Sequence, residues 1–225
     1  KKYYEMAVKL NNSDALLYLG DLYAEGHGVH RNFNKAKELY EKAGEMNKSK
    51  SLIHLGDLYK MSYKPHQNII QSIECYTKAY ELYNDSEGLI KLGVHFYHSK
   101  RNDEHDERKG FKYFKLAAKQ NNSDAFYHIG YHYKLRGDTT IAIYYFEKAA
   151  KYNNSDAYAE LGRIYENLDY VKARKYYEKA AHLNNLNGLI GLINLYAEGL
   201  GVEKDHFKLK EYIEEAFKLD DGESI

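Results

Sequence analysis

Six times along its 225 residues the chain sets down a small residue and, eight positions later, an aromatic one. The small residues are Ala15, Ser51, Gly88, Ala125, Ala157 and Gly188. Their aromatic partners are Tyr23, Tyr59, Phe96, Tyr133, Tyr165 and Tyr196. Both series advance by 36, 37, 37, 32 and 31 residues. A recurrence of this length marks stacked supersecondary units, none of which buries its apolar face alone. A second series runs between them: Tyr4 with Ala7, Tyr40 with Ala43, Tyr76 with Ala79, Phe114 with Ala117, Phe146 with Ala149, Tyr177 with Ala180, and Ile213 with Ala216.

Each unit reads as two helices, A and B. Apolar residues in helix A recur at steps of three and four, as in Leu16, Leu19, Leu22 and Tyr23. Ser13, Ser49, Ser86, Ser123 and Ser155 stand two places before the small residue and are expected to cap helix A. Unit six has Leu186 there, with Asn185 as a stand-in. Asn32, Asn68, Asp106, Asp138, Asp169 and Asp205 are expected to cap helix B. Between the helices, Gly26-His27-Gly28-Val29 and Gly199-Leu200-Gly201-Val202 offer left-handed glycines after helix A. Unit two has Ser62-Tyr63-Lys64-Pro65 instead, unit three the charged run Lys100 to Lys109, and units four and five shortened loops.

The fold expected is all-α, an α-solenoid of antiparallel helix pairs. As one array over 1–225 it divides into 13–48, 49–85, 86–122, 123–154, 155–185 and 186–219. Residues 1–12 read as the second helix of a preceding unit and 220–225 as the start of a following one, as though both ends were cut from a longer array.

Leu19-Gly20, Leu22-Tyr23, Gly26-x-Gly28-Val29, Lys35-Ala36 and Tyr40-x-Lys42-Ala43 resemble the Sel-one-like repeat, a relative of the tetratricopeptide repeat. Glu147-Lys148-Ala149-Ala150 and Glu178-Lys179-Ala180-Ala181 fit the same helix-B pattern. The similarity covers essentially the whole chain. Ile193 departs from it, standing where other units have Gly20, Gly56, Gly93, Gly130 and Gly162. The resemblance implies a right-handed tetratricopeptide-like superhelix with helix A on its concave wall, and a non-catalytic adaptor that holds protein partners.

Composition narrows the partners. With 33 basic and 33 acidic residues there is no general electrostatic grip on nucleic acid, which is not expected as a partner. No apolar run approaches a membrane span, so membrane insertion is not expected either. The single cysteine, Cys75, precludes an intramolecular disulfide and a cysteine-based metal site. It agrees with a cytoplasmic setting. The plentiful tyrosine, lysine, asparagine and isoleucine read as the coding bias of an AT-rich genome.

Function is sought in the helix-A columns that vary from unit to unit. Three places after the small residue stand Tyr18, His54, Lys91, His128, Glu160 and Gly191; six places after, Asp21, Asp57, Val94, Tyr131, Arg163 and Asn194; nine places after, Ala24, Lys60, Tyr97, Lys134, Glu166 and Ala197. Steps of three share one side of a helix. From these columns Tyr18, Asp21, His54, Asp57, Lys60, Lys91, Tyr97, His128, Tyr131, Lys134, Glu160, Arg163 and Asn194 form the candidate strip for a protein or peptide partner. One alternative is a metal-binding or hydrolytic site at His95, His98, His128 and His132, spaced one helical turn apart in pairs. Another is an architectural spacer or self-assembling segment. No catalytic residue, cofactor or resident metal is assigned, and the oligomeric state is left open.

Overall fold

The computed structural model describes every residue except 11, 62–64, 99–103 and 221–225, and of 65–67, 104 and 220 the backbone alone. The loops expected at 62–64 and 100–103 and the helix start at 221–225 lie outside the described residues. Thirteen helices occur among the described residues: α1 (Lys2–Lys9), α2 (Ser13–Glu25), α3 (Phe33–Gly44), α4 (Lys48–Lys60), α5 (Pro65–Tyr83), α6 (Ser86–Tyr97), α7 (Glu104–Ala118), α8 (Ser123–Leu135), α9 (Thr139–Lys151), α10 (Ser155–Tyr165), α11 (Tyr170–His182), α12 (Leu186–Glu198) and α13 (His206–Asp220). Even numbers are the A helices and odd numbers the B helices.

Contacts gather into two compact bodies, Lys1–Ala117 and Ala118–Ile225. In the first, α1 to α6 pack in succession and α2 also meets α4; in the second, α8 to α13 pack in succession and α10 also meets α12. Helix pairs stacked in this way are the expected α-solenoid.

What joins A to B within a pair is an aromatic ring in the space of a missing Cβ. A Cβ added at Gly20 would lie 2.3 Å from the Tyr40 ring, at Gly56 2.4 Å from Tyr76, and at Gly93 2.4 Å from Phe114. At Gly130 the distance to Phe146 would be 2.8 Å, and at Gly162 it would be 2.5 Å to Tyr177. All five rings are buried. Tyr177 also faces a second glycine, Gly191 of α12, whose Cβ would stand 2.5 Å away. Unit six alters both partners together, with Ile193 for the glycine and Ile213 for the ring.

The small residue at the head of helix A meets the preceding helix B. Ser51 Oγ donates to the Tyr40 carbonyl at 2.6 Å. A Cβ at Gly88 would come within 2.7 Å of the Tyr76 carbonyl oxygen. The aromatic that ends helix A is covered by a lysine of helix B: Lys109 lies 3.8 Å from the centre of the Phe96 ring and Lys172 lies 3.9 Å from that of Tyr165.

The helix-A caps differ from expectation. The acceptors are Asn12, Asn47, Asp85, Asn122, Asn154 and Asn185, while Ser13, Ser86, Ser123 and Ser155 are already the first helical residues. Both residue types cap well, but the earlier one carries the extended backbone that a cap requires, as at Asn12, Asp85, Asn122, Asn154 and Asn185. Just before four of these caps, Asn84, Asn121, Asn153 and Asn184 take φ between 51° and 58°, the left-handed turn that asparagine tolerates better than other side-chain-bearing residues. One asparagine thus ends helix B and the next residue starts helix A. Ser49, inside α4, donates instead to Asp85 of the following unit.

On helix B, Asn32, Asp169 and Asp205 cap as expected. Asp138 holds the cap position without a side-chain bond. Asn68 and Asp106 are corrected: both lie inside helices that begin earlier, at Pro65 and Glu104. Proline suits a first helical turn because its fixed φ is helical and its missing N–H would have had no acceptor there. Gly26 and Gly199 close α2 and α12 with φ of 86° and 75°, the left-handed glycines the sequence calls for.

Replacing Gly56 by alanine must displace the buried Tyr76 ring. A loss of about 1–3 kcal/mol in urea unfolding is expected. An unchanged midpoint would show that the ring does not need the gap.

Candidate partner-binding face

The candidate strip lies on the A helices, α2, α4 and α6 in the first body and α8, α10 and α12 in the second. Much of it is engaged with the protein itself. Asp21 accepts from the Tyr40 hydroxyl at 2.7 Å and pairs with His54 Nδ1 of the next unit at 2.9 Å. Asp57 repeats the arrangement, accepting from Tyr76 at 2.6 Å and from Lys91 Nζ of the next unit at 2.7 Å. The carboxylate following the glycine thus receives the hydroxyl of the ring in the gap and a cationic or imidazole group from the neighbouring A helix.

In the second body the bracing takes another form. Glu160, buried in α10, pairs with Lys134 of α8 and accepts from Arg163 Nη1 at 3.0 Å. Tyr177 finds its acceptor in Glu166 at 2.6 Å. A buried carboxylate held by two cations is costly to strip of either, whereas the half-exposed Asp57–Lys91 pair contributes less.

The other strip residues are less committed. Tyr18 is 53% exposed and stacks on Tyr4 at 5.6 Å. Lys60 and Asn194 are exposed. Tyr97 is half-buried with its ring 5.7 Å from Phe114. His128 and Tyr131 are half-buried against Tyr127. Tyr18 and His54 are brought together at a groove of about 190 Å³, lined also by Asp14, Lys50 and Glu87 over Leu17 and Ile53. Lys50 Nζ donates to Asp14 at 3.0 Å across it.

A link between columns escapes a reading that treats each column alone. Where the ring in the gap is tyrosine, in units one and two, the residue after the glycine is Asp21 or Asp57. Where the ring is phenylalanine, in units three and four, it is Val94 or Tyr131. Unit five keeps tyrosine but takes its acceptor from Glu166, one turn further along. The signal was present in the identity of the ring.

The four histidines considered as metal ligands are dispersed in role. Burial pushes His95 below the ordinary imidazole range, with Lys60 adding to the effect. His98 is the exposed C-cap of α6. His132 is buried edge-on to Tyr133. Among the described residues no three histidine, cysteine or acidic side chains stand together in a way that could hold a metal ion. Burial raises the Cys75 thiol, which disfavours the thiolate a nucleophile requires. No helix among the described residues is long and apolar enough to cross a membrane.

The Sel1 repeat family matches at residues 13–48, 49–84, 86–122, 125–153, 155–185 and 189–221. A Sel1 repeat protein from Oxalobacter formigenes is 27% identical with a TM-score of 0.72, over 93% of this chain and 89% of that one. The uropathogenic Escherichia coli protective antigen c5321, which displays an SLR fold, is 25% identical with a TM-score of 0.66, over 96% of this chain and 48% of that one. The immunity protein PA5088 of Pseudomonas aeruginosa, 20% identical over 95% of this chain and 83% of its own, has a TM-score of 0.74 and shares the fold. No curated protein matches the chain.

Two outcomes follow from the hydroxyl–carboxylate link. Asp57→Val alone takes the carboxylate acceptor from the Tyr76 hydroxyl and leaves it only its contact with Ser72. Adding Tyr76→Phe installs the Val94–Phe114 combination of unit three, and the double variant should recover about 1–2 kcal/mol of the single variant's loss in a double-mutant cycle. Additive losses would deny the link. Burial, with carboxylates as acceptors, also holds the Tyr40, Tyr76 and Tyr177 phenols above their ordinary value of 10.0. The folded chain therefore keeps protons that the unfolded chain releases above that pH. Stability is full below pH 10 and falls as pH rises beyond it, seen as loss of helical circular dichroism in alkaline titration. Tyr76→Phe should make that decline shallower.

Proposed function

Because the chain belongs to the Sel1 repeat family, whose members are generally protein-interaction scaffolds, we propose that it is a non-catalytic scaffold that holds a protein partner along its helix-A face. The groove shared by Tyr18 and His54 carries this reading. It pairs an exposed aromatic with a charged rim on adjacent A helices, a combination suited to anchoring an extended protein segment. The carboxylates Asp21, Asp57 and Glu160 keep neighbouring A helices in register. Tyr18, Lys60 and Asn194 are exposed beside them and supply contact. Within each body the braced positions set the spacing of the contact positions, so that body's part of the face is pre-organised before a partner arrives.

The test separates contact from bracing. The variant Tyr18→Ala/Lys60→Glu/Asn194→Ala should recover the partner at least about fivefold less well in affinity capture, since each anchoring contact is worth on the order of 1 kcal/mol. Its thermal midpoint should stay near that of the parent, because these side chains are exposed. Unchanged capture would remove the helix-A face as the binding surface.

A further inference from the structure

The groove that α2 and α4 share at Tyr18 and His54 also takes in the first turn of α6, through Glu87. At about 190 Å³ it is smaller than the roughly 300 Å³ at which small-molecule sites begin, so it suits one side chain of a partner. Its floor is apolar, from the buried Leu17 and Ile53. Its aromatic surface is Tyr18, 53% exposed, whose ring stacks on Tyr4 at 5.6 Å.

The charged groups around this groove are tied to one another, with one exception. Lys50 Nζ lies 3.0 Å from Asp14 and His54 Nδ1 lies 2.9 Å from Asp21. Lys91, one turn beyond Glu87, is drawn to Asp57 at 2.7 Å. Asp85, the cap of α6, accepts from the Glu87 amide at 2.9 Å and from Ser49. Glu87 is exposed, and among the described residues no cation stands within ion-pair distance of its carboxylate, since both neighbouring lysines are engaged elsewhere. The dipole of α6 favours a carboxylate in its first turn but supplies no counter-ion.

The balance of charge is negative. Asp14, Asp21, Asp85 and Glu87 line the groove or bond to its lining, against Lys50 and His54. Lys91 and Asp57 cancel each other. Negative charge therefore exceeds positive even with His54 protonated. An acidic segment is repelled from such a place, whereas a cation is attracted and finds an open carboxylate at which to stop. A guanidinium matches both kinds of surface, because it lies flat on an aromatic ring and meets a carboxylate with two parallel N–H bonds. An ammonium brings the charge without the plane.

We infer that this groove takes an arginine side chain from a basic, extended protein segment, with Glu87 receiving the guanidinium and Tyr18 lying against its face. The inference rests on the helix-A reading and narrows it. It fixes the charge of the partner and adds Glu87, which is not among the thirteen strip residues.

The 225-residue chain is titrated in ¹H–¹⁵N correlation spectra with the capped tripeptide acetyl-Ala-Arg-Ala-amide. Its citrulline counterpart, which keeps the shape and loses the charge, and acetyl-Ala-Glu-Ala-amide are titrated in parallel. The amide signals of Tyr18, His54 and Glu87 should move saturably with the Arg peptide and with neither of the others. Glu87→Gln should weaken the Arg peptide at least about threefold, as for an exposed charged pair. Glu203→Gln, which removes an exposed carboxylate from the second body, should leave its binding unchanged. No saturable movement, equal movement with the citrulline peptide, or equal weakening by the two Gln variants overturns the arginine site. Absent peptide binding alongside impaired capture by Tyr18→Ala/Lys60→Glu/Asn194→Ala overturns the arginine site and leaves the helix-A face. Peptide binding that Glu87→Gln weakens supports the arginine site even where capture by that triple variant is unchanged.

Discussion

A ring set into the space of an absent Cβ is the constraint on which this structure rests. Helices A and B of a pair could not approach as they do if Gly20, Gly56, Gly93, Gly130 or Gly162 carried a side chain, because Tyr40, Tyr76, Phe114, Phe146 and Tyr177 occupy that volume. Each ring is buried at the point where its two helices meet. Bulk on one helix and emptiness on the other fix how far one can slide along its partner. Tight interiors tolerate such a mismatch poorly, so the pairing is specific as well as stabilising.

A second constraint lies at the corners. Asn84, Asn121, Asn153 and Asn184 reverse the chain in the left-handed region, and the following Asp85, Asn122, Asn154 and Asn185 open the next helix. The caps also tie one unit to the next: Asn154 donates to Asp124 at 2.8 Å and Asn185 to Asp156 at 2.7 Å. Composition alone makes these asparagines look like a coding bias. Their positions give them a conformational purpose.

The period, the two-helix unit and the glycine column were all legible in the chain, since each is a repetition along one dimension. The corner chemistry was legible only to within a residue. Asparagine and serine stand side by side and either can cap, so backbone geometry decides between them. Asn68 and Asp106 misled because a cap motif carries no information about a helix that starts earlier, as α5 does at Pro65. The candidate face was read least well. Asp21, Asp57 and Glu160 vary between units as free surface residues would, yet each is bound to a neighbour. Variation here records different solutions to one packing problem, and only distances across helices distinguish that from freedom to bind.

The sixth unit lacks the ring-and-gap arrangement, having Ile193 and Ile213 in its place. Its first helix is still gripped from the other side, through Gly191 against Tyr177. Its second packs through Leu209 and Tyr212, the latter on Tyr196 with 5.6 Å between ring centres. Branched aliphatic side chains can slip past one another where a wedged ring cannot. The seam between α12 and α13 is thus an apolar one without a ring keyed into a gap, so its register rests on shape along the whole contact and not on a single wedge.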